Sequence, residues 1–186
     1  MAEHVILFAG PMGAGKTTAI RTLSEIEVVS TEAANTDRET ADKETTTVAL
    51  DYGEIGLGPD DKVRLYGVPG QRRFDFMWTI MQERAMGLIL LVHADAPDVG
   101  SLVVEHLREF EHLARRGGVV VGISRSDLTG PQPVNEVHAA LAGQLPGVLI
   151  PIFTVDPRDA GHMRMTLMTL IANIETRTAL TAGATE

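Results

Sequence analysis

The chain has 186 residues, enough for one domain with a substantial buried core. Its net charge of −9 argues against a nucleic-acid or anionic-membrane surface, and the absence of cysteine excludes disulfides, thiolate metal sites and palmitoyl or prenyl attachment. Residue 2 is Ala rather than a myristoylation glycine, Val5–Gly10 is too short for a signal peptide, and no stretch approaches the ~20 apolar residues of a membrane span, so a soluble cytoplasmic protein is expected.

In chain order the first expected element is a buried strand, Val5–Phe8. It runs into Gly10-Pro11-Met12-Gly13-Ala14-Gly15-Lys16-Thr17-Thr18 and then a helical segment, Thr17–Glu27. The glycine-rich stretch satisfies the phosphate-loop pattern G-x4-G-K-[ST], in the strand–loop–helix context that the pattern requires. Gly13, Ala14, Gly15, Lys16, Thr17 and Thr18 are therefore candidate nucleotide-binding residues. Backbone N–H groups of such a turn surround a polyphosphate at a helix N-terminus, and Lys16 lies along the β- and γ-phosphates. The Thr17 hydroxyl is placed to complete a Mg²⁺ shell.

Residues 28–46 are polar and read as a mobile loop. Thr47–Ile55 and Val63–Tyr66 then read as two arms of a hairpin, with no helix between them. Pro69-Gly70-Gln71 turns the chain into a helix over Phe76–Arg84. Strands are expected over Leu88–His93, Val119–Ile123 and Val148–Phe153, and helices over Leu102–Arg116, Val134–Leu141 and Met163–Arg177. The alternation predicts an α/β fold: a doubly wound, mostly parallel sheet with one antiparallel hairpin strand and helices on both faces. Residues 1–178 read as one domain, and 179–186 as a frayed tail. Phe74, Phe76, Met77 and Trp78 span most of a helical turn and cannot all face the sheet. Either Phe76 and Met77 are core while Phe74 and Trp78 share a partly covered face, or that face is an apolar patch shown to a partner in one nucleotide state.

The glycine loop, the polar loop, the hairpin and "LYGVPGQRRFDFMW" at 65–78 together resemble the Ras/Rab/Arf-type small GTPases. The likeness is greatest to their bacterial members, the MglA-type proteins and the GTPases of actinobacterial conservon clusters, and runs from about residue 4 to 176. The resemblance implies a GTP-binding and GTP-hydrolysing switch holding GTP or GDP with Mg²⁺. By its register Thr47 (or Thr45 or Thr46) is the switch threonine that meets Mg²⁺ and the γ-phosphate. The Gly70 N–H senses that phosphate, and Gln71 orients the attacking water. Ser124-Arg125-Ser126-Asp127 stands where the family has Asn-Lys-x-Asp. Asp127 then accepts from guanine N1–H and N2–H₂, Arg125 covers the base, and Ser124 replaces the asparagine that braces the loop. Val155 is the expected backbone donor to guanine O6. Gly67 departs from the usual metal-side aspartate, a departure shared by the MglA-type group. No arginine is assignable in cis, so slow intrinsic turnover and a regulator of the Roadblock/LC7 fold are implied.

Two other readings stay open. "GPMGAGKTT" also resembles the opening of shikimate kinases, although the hairpin and the lack of an arginine lid segment between 115 and 160 fit that layout poorly. A non-hydrolysing scaffold that holds nucleotide for stability is the other.

Overall fold

The computed structural model describes residues 3–30, 50–56, 61–70 and 75–183. Seven strands form one sheet: β1 Glu3–Ala9, β2 Val29–Ser30, β3 Asp51–Gly56, β4 Lys62–Gly67, β5 Gly87–His93, β6 Val119–Ser124 and β7 Ile152–Thr154. Their order is β2-β3-β4-β1-β5-β6-β7. Only β3 runs against its neighbours, pairing antiparallel with both β2 and β4. The other pairs are parallel. Six helices complete the fold: α1 Lys16–Leu23, α2 Asp75–Gln82, α3 Val99–Glu109, α4 Glu111–Arg115, α5 Gln132–Gln144 and α6 Ala160–Gly183.

The continuous apolar strands have the cause expected of a parallel sheet, since both faces are covered. Along β1, Leu7 and Ala9 enter a core shared with Trp78, Val103, Leu107 and Val137 of the α2, α3 and α5 layer. Ile6 and Phe8 enter the opposite core with Ile20 of α1 and Met163 and Leu170 of α6. β5 repeats this division, with Leu88, Leu90 and Val92 on one side and Ile89 and Leu91 on the other.

Several boundaries differ from the sequence expectation. The polar stretch begins with a short strand, β2, where Val29 pairs with Tyr52. The helix expected over 102–116 is two helices. It breaks at Phe110, whose φ of −114° and ψ of 23° leave helical geometry while its ring is fully buried. The strand expected from Val148 starts only at Ile152. Pro151 has no N–H to give the ladder, so it contributes only its carbonyl, to Val121 N–H at 2.9 Å. Helix α6 continues to Gly183, past residue 179 where a tail was expected. Among the described residues no helix is long and apolar enough to cross a membrane.

Candidate nucleotide-binding site

The loop between β1 and α1 is shaped by three glycines at positive φ, Gly10 (φ 132°), Gly13 (φ 78°) and Gly15 (φ 98°). A Cβ on Gly10 would fall 1.9 Å from the Leu91 carbonyl oxygen, so only glycine lets the loop lie on β5. Gly15 is the N-cap of α1, and a Cβ there would sit 2.6 Å from Pro157 in the β7–α6 connection. Lys16 folds back over the loop, its Nζ donating to the carbonyls of Gly10 (2.8 Å) and Pro11 (2.9 Å). Burial of the ammonium pulls the Lys16 pKa down to about 8, against the opposing pull of the Asp51 carboxylate.

Asp51, which the sequence reading did not single out, sits beside this loop. Thr17 Oγ1 donates to its Oδ2 at 2.5 Å, and Ser30 Oγ donates to its Oδ1 at 2.7 Å. In the β3–β4 pairing Asp51 lies directly across from Gly67. A Cβ on Gly67 would stand 3.0 Å from both Cβ and Oδ2 of Asp51. The carboxylate missing at the end of β4 is thus matched by one on the neighbouring strand, and the two positions are too close for both to carry a side chain comfortably. The hairpin was legible in the sequence, but its register was not, and the register is what puts Asp51 here. A hydroxyl and a carboxylate side by side at a phosphate loop suit Mg²⁺, which takes few protein oxygens and completes its shell with phosphate and water. Among the described residues no three His, Cys, Asp or Glu side chains converge as an all-protein metal site.

Gly70 packs on the same loop, where a Cβ would lie 2.6 Å from the Gly10 carbonyl oxygen and 2.8 Å from the Met12 nitrogen. Thr47 and Gln71, expected at the metal and at the attacking water, lie outside the described residues, as do Thr45, Thr46 and Phe74. Trp78 is core rather than a partner patch. It is 4% exposed, stacks on His106 and Phe110 with centroids 5.9 and 5.7 Å away, and donates from Nε1 to the Pro69 carbonyl at 3.0 Å.

A cleft of about 770 Å³ opens from the loop toward the ends of β6 and β7. Gly13, Ala14, Gly15 and Thr18 line it from the loop and α1, and Ser124, Arg125, Asp127 and Val155 from β6, β7 and the segments after them. Asp127 is exposed in a 3₁₀ turn, Ser126–Leu128, and caps no helix: Pro131 holds the N-cap position of α5. Arg125, in left-handed geometry (φ 58°), lines the cleft while its guanidinium pairs with Asp95 at 3.3 Å. Ser124 Oγ donates to Val92 O at 3.1 Å and reaches Ala14 O only at 3.5 Å. A second brace comes from His93, whose Nε2 meets the Met12 carbonyl at 3.3 Å. Val155 departs from its expected role. Its N–H continues the ladder to the Ile123 carbonyl (2.9 Å) and is not free for a base. The following N–H, of Asp156, donates to His162 Nδ1 at 3.1 Å.

A mostly parallel sheet, a glycine loop between its central strand and first helix, and a cleft at the carboxyl ends of the strands define a P-loop nucleotide-binding protein. The chain belongs to the family of conserved hypothetical ATP-binding proteins, whose model matches residues 8–138. No curated protein matches the sequence. Among solved structures, the fold is similar to the Arl6 BBS3 small GTPase from Trypanosoma brucei with bound nucleotide analogue GppNp, at 15% identity and a TM-score of 0.65 over 95% of this chain and 99% of that one. It is also similar to a bacterial selenocysteine-specific elongation factor, EF-Sec, at 22% identity and a TM-score of 0.62 over 94% of this chain. The chain spans only 29% of that factor's length.

Proposed function

We propose that the protein binds GTP with Mg²⁺ and hydrolyses it slowly as a molecular switch. The observation that carries this reading is one cleft lined both by the phosphate loop and by Asp127, an exposed carboxylate in the turn after β6. A carboxylate so placed accepts from two guanine N–H groups and meets no donor pair on adenine N1. Backbone N–H groups of Gly13–Thr18 and the Lys16 ammonium hold the phosphates, and Thr17 and Asp51 hold the metal side. The metal, when bound, neutralises charge that develops on the phosphate oxygens. Gln71 follows Gly70, which lies against the loop. It orients a water onto the γ-phosphorus, and the bond to the β-bridging oxygen breaks to leave GDP and phosphate. Contacts of Thr47 and Gly70 with the γ-phosphate are lost in that step, and this is the basis of the switch. The β3–β4 hairpin favours this layout over the kinase one. By resemblance the partner is a Roadblock/LC7-type regulator.

The base is the decisive test, because the family description names ATP. Wild type is expected to prefer GTP over ATP, and Asp127→Asn to shift preference toward xanthosine nucleotides, with each lost charged hydrogen bond costing ~1.5–3 kcal/mol. Equal titration of ATP and GTP by wild type would sink the guanine reading.

A further inference from the structure

In the β7–α6 connection neither Val155 nor Asp156 has a backbone N–H left for a base carbonyl. Val155 N–H is spent on Ile123, and Asp156 N–H on His162 Nδ1. The Asp156 carboxylate is occupied as well, by Nε and a terminal nitrogen of Arg158 at 2.9 and 2.8 Å. The Arg158 fork is tied down by the same pair, and Arg125 is held by Asp95.

His162 remains, lining this cleft together with Asp127. Its backbone is fixed at the start of α6, and its ring takes one hydrogen bond. The His162 backbone N–H donates to Asp159 Oδ1 at 2.9 Å, its carbonyl accepts from Thr166 Oγ1 at 2.8 Å, and Nδ1 accepts from Asp156 N–H. A neutral imidazole has one accepting and one donating nitrogen, so with Nδ1 accepting, the proton resides on Nε2. The hydroxyls of Thr154 and Ser126, which also line the cleft, both donate and accept and so discriminate nothing. The His162 Nε2 edge can only donate. The Asp156 N–H is in effect relayed through the ring, and the donor moves from the backbone into the cleft.

We infer that His162 is a specificity-determining residue that donates from Nε2 to the 6-carbonyl of a bound purine nucleotide, selecting 6-oxo over 6-amino bases. This rests on the guanine reading above and adds a second, independent sensor to it. Asp127 reads the N1 and N2 edge, and His162 reads O6.

The test compares GDP with 6-thio-GDP, which keeps N1–H and the 2-amino group but replaces O6 by a poor acceptor. Wild type is expected to bind GDP about tenfold more tightly than 6-thio-GDP, the weight of one ordinary hydrogen bond. In His162→Ala that difference should collapse toward unity, and in His162→Gln, whose amide nitrogen can donate, part of it should return. The ratio of affinities is a coupling measurement that a general loss of stability does not mimic. Undiminished discrimination in His162→Ala would overturn the assignment while leaving guanine recognition by Asp127 intact. Tighter GDP binding in that variant would also overturn it, since the base would then be taking the Asp156 N–H itself. Wild type showing no preference for GDP over ADP would remove the guanine reading, and this inference with it.

Discussion

Lys16 carries a conflict that the site itself resolves. Its ammonium is satisfied by two loop carbonyls, yet burial lowers its pKa from 10.5 to about 8. In the nucleotide-free protein a depressed lysine favours the neutral form. The unfolded chain therefore binds more protons between about pH 8 and 10.5, and stability rises across that window. Nucleotide binding works the other way, because phosphate oxygens favour the ammonium and binding above pH 8 must take up a proton. GDP affinity is accordingly expected to be level below that pH and to fall by up to about tenfold per unit above it. Lys16→Arg, charged throughout, should show no such fall. Calorimetric titrations across the window check this, and a level wild-type profile would contradict it.

At the scale of elements, the reversed strand β3 places a carboxylate beside the phosphate loop where β4 ends in glycine. Antiparallel pairing sets Asp51 opposite Gly67, and the Thr17 hydroxyl already bonds the Asp51 carboxylate. Asp51→Gly is expected to reduce the Mg²⁺ dependence of GDP retention by ~10–100-fold, the usual weight of such supporting groups. Moving the carboxylate back across the pair, with Asp51→Gly and Gly67→Asp together, should recover much of it, since two of the three atoms nearest a Cβ at 67 belong to the Asp51 side chain and the third is the flexible end of Ile20. Dissociation of a fluorescent GDP with Mg²⁺ and with chelator measures both variants. If Asp51→Gly retains the full Mg²⁺ effect, Asp51 serves only as a hydrogen-bond partner of Thr17 and Ser30. Helix α2 shows the opposite outcome. Trp78 closes a core stack and ties it to Pro69, one residue before Gly70, and its apolar surface is not on offer to a partner.

For the whole molecule, the cleft draws its walls from the β1–α1 loop, helix α1, the ends of β6 and β7 and the segments that follow them, so a bound nucleotide bridges the N-terminal loop and the C-terminal part of the chain. A ligand that binds only the folded chain stabilises it by ~2.7 kcal/mol at about one hundred times its dissociation constant. For a chain of this size that corresponds to a rise in Tm of roughly 5–11 °C. Wild type with GDP should show this rise in a thermal melt, and Lys16→Ala should lose it while keeping its own cooperative transition. A variant with an undiminished shift would place the binding elsewhere than the phosphate loop.

The elements and the phosphate loop were readable in the one-dimensional pattern because each depends on local chemistry. Short continuous apolar runs bounded by turn residues read as strands covered on both faces, and Gly10-x4-Gly15-Lys16-Thr17 dictates its own turn. Ser124 and Asp127 were singled out in the same way, at fixed offsets from a strand end, and both line the cleft. Asp51 was not, since nothing in its neighbourhood along the chain marks it; its meaning comes from the register of β3 on β4. His162 was likewise silent, a lone histidine on a helix until the β7–α6 turn folds it onto Asp156 N–H. Trp78 and Val155 were misread for the complementary reason. Whether an aromatic ring is covered, or a backbone N–H already spent, depends on neighbours far away in sequence, Phe110 for one and Ile123 for the other. Chemistry carried by a contiguous motif is written along the chain. Chemistry made by two strands or a strand and a helix meeting is decided by packing, because side chains distant in sequence acquire their partners only when the sheet assembles.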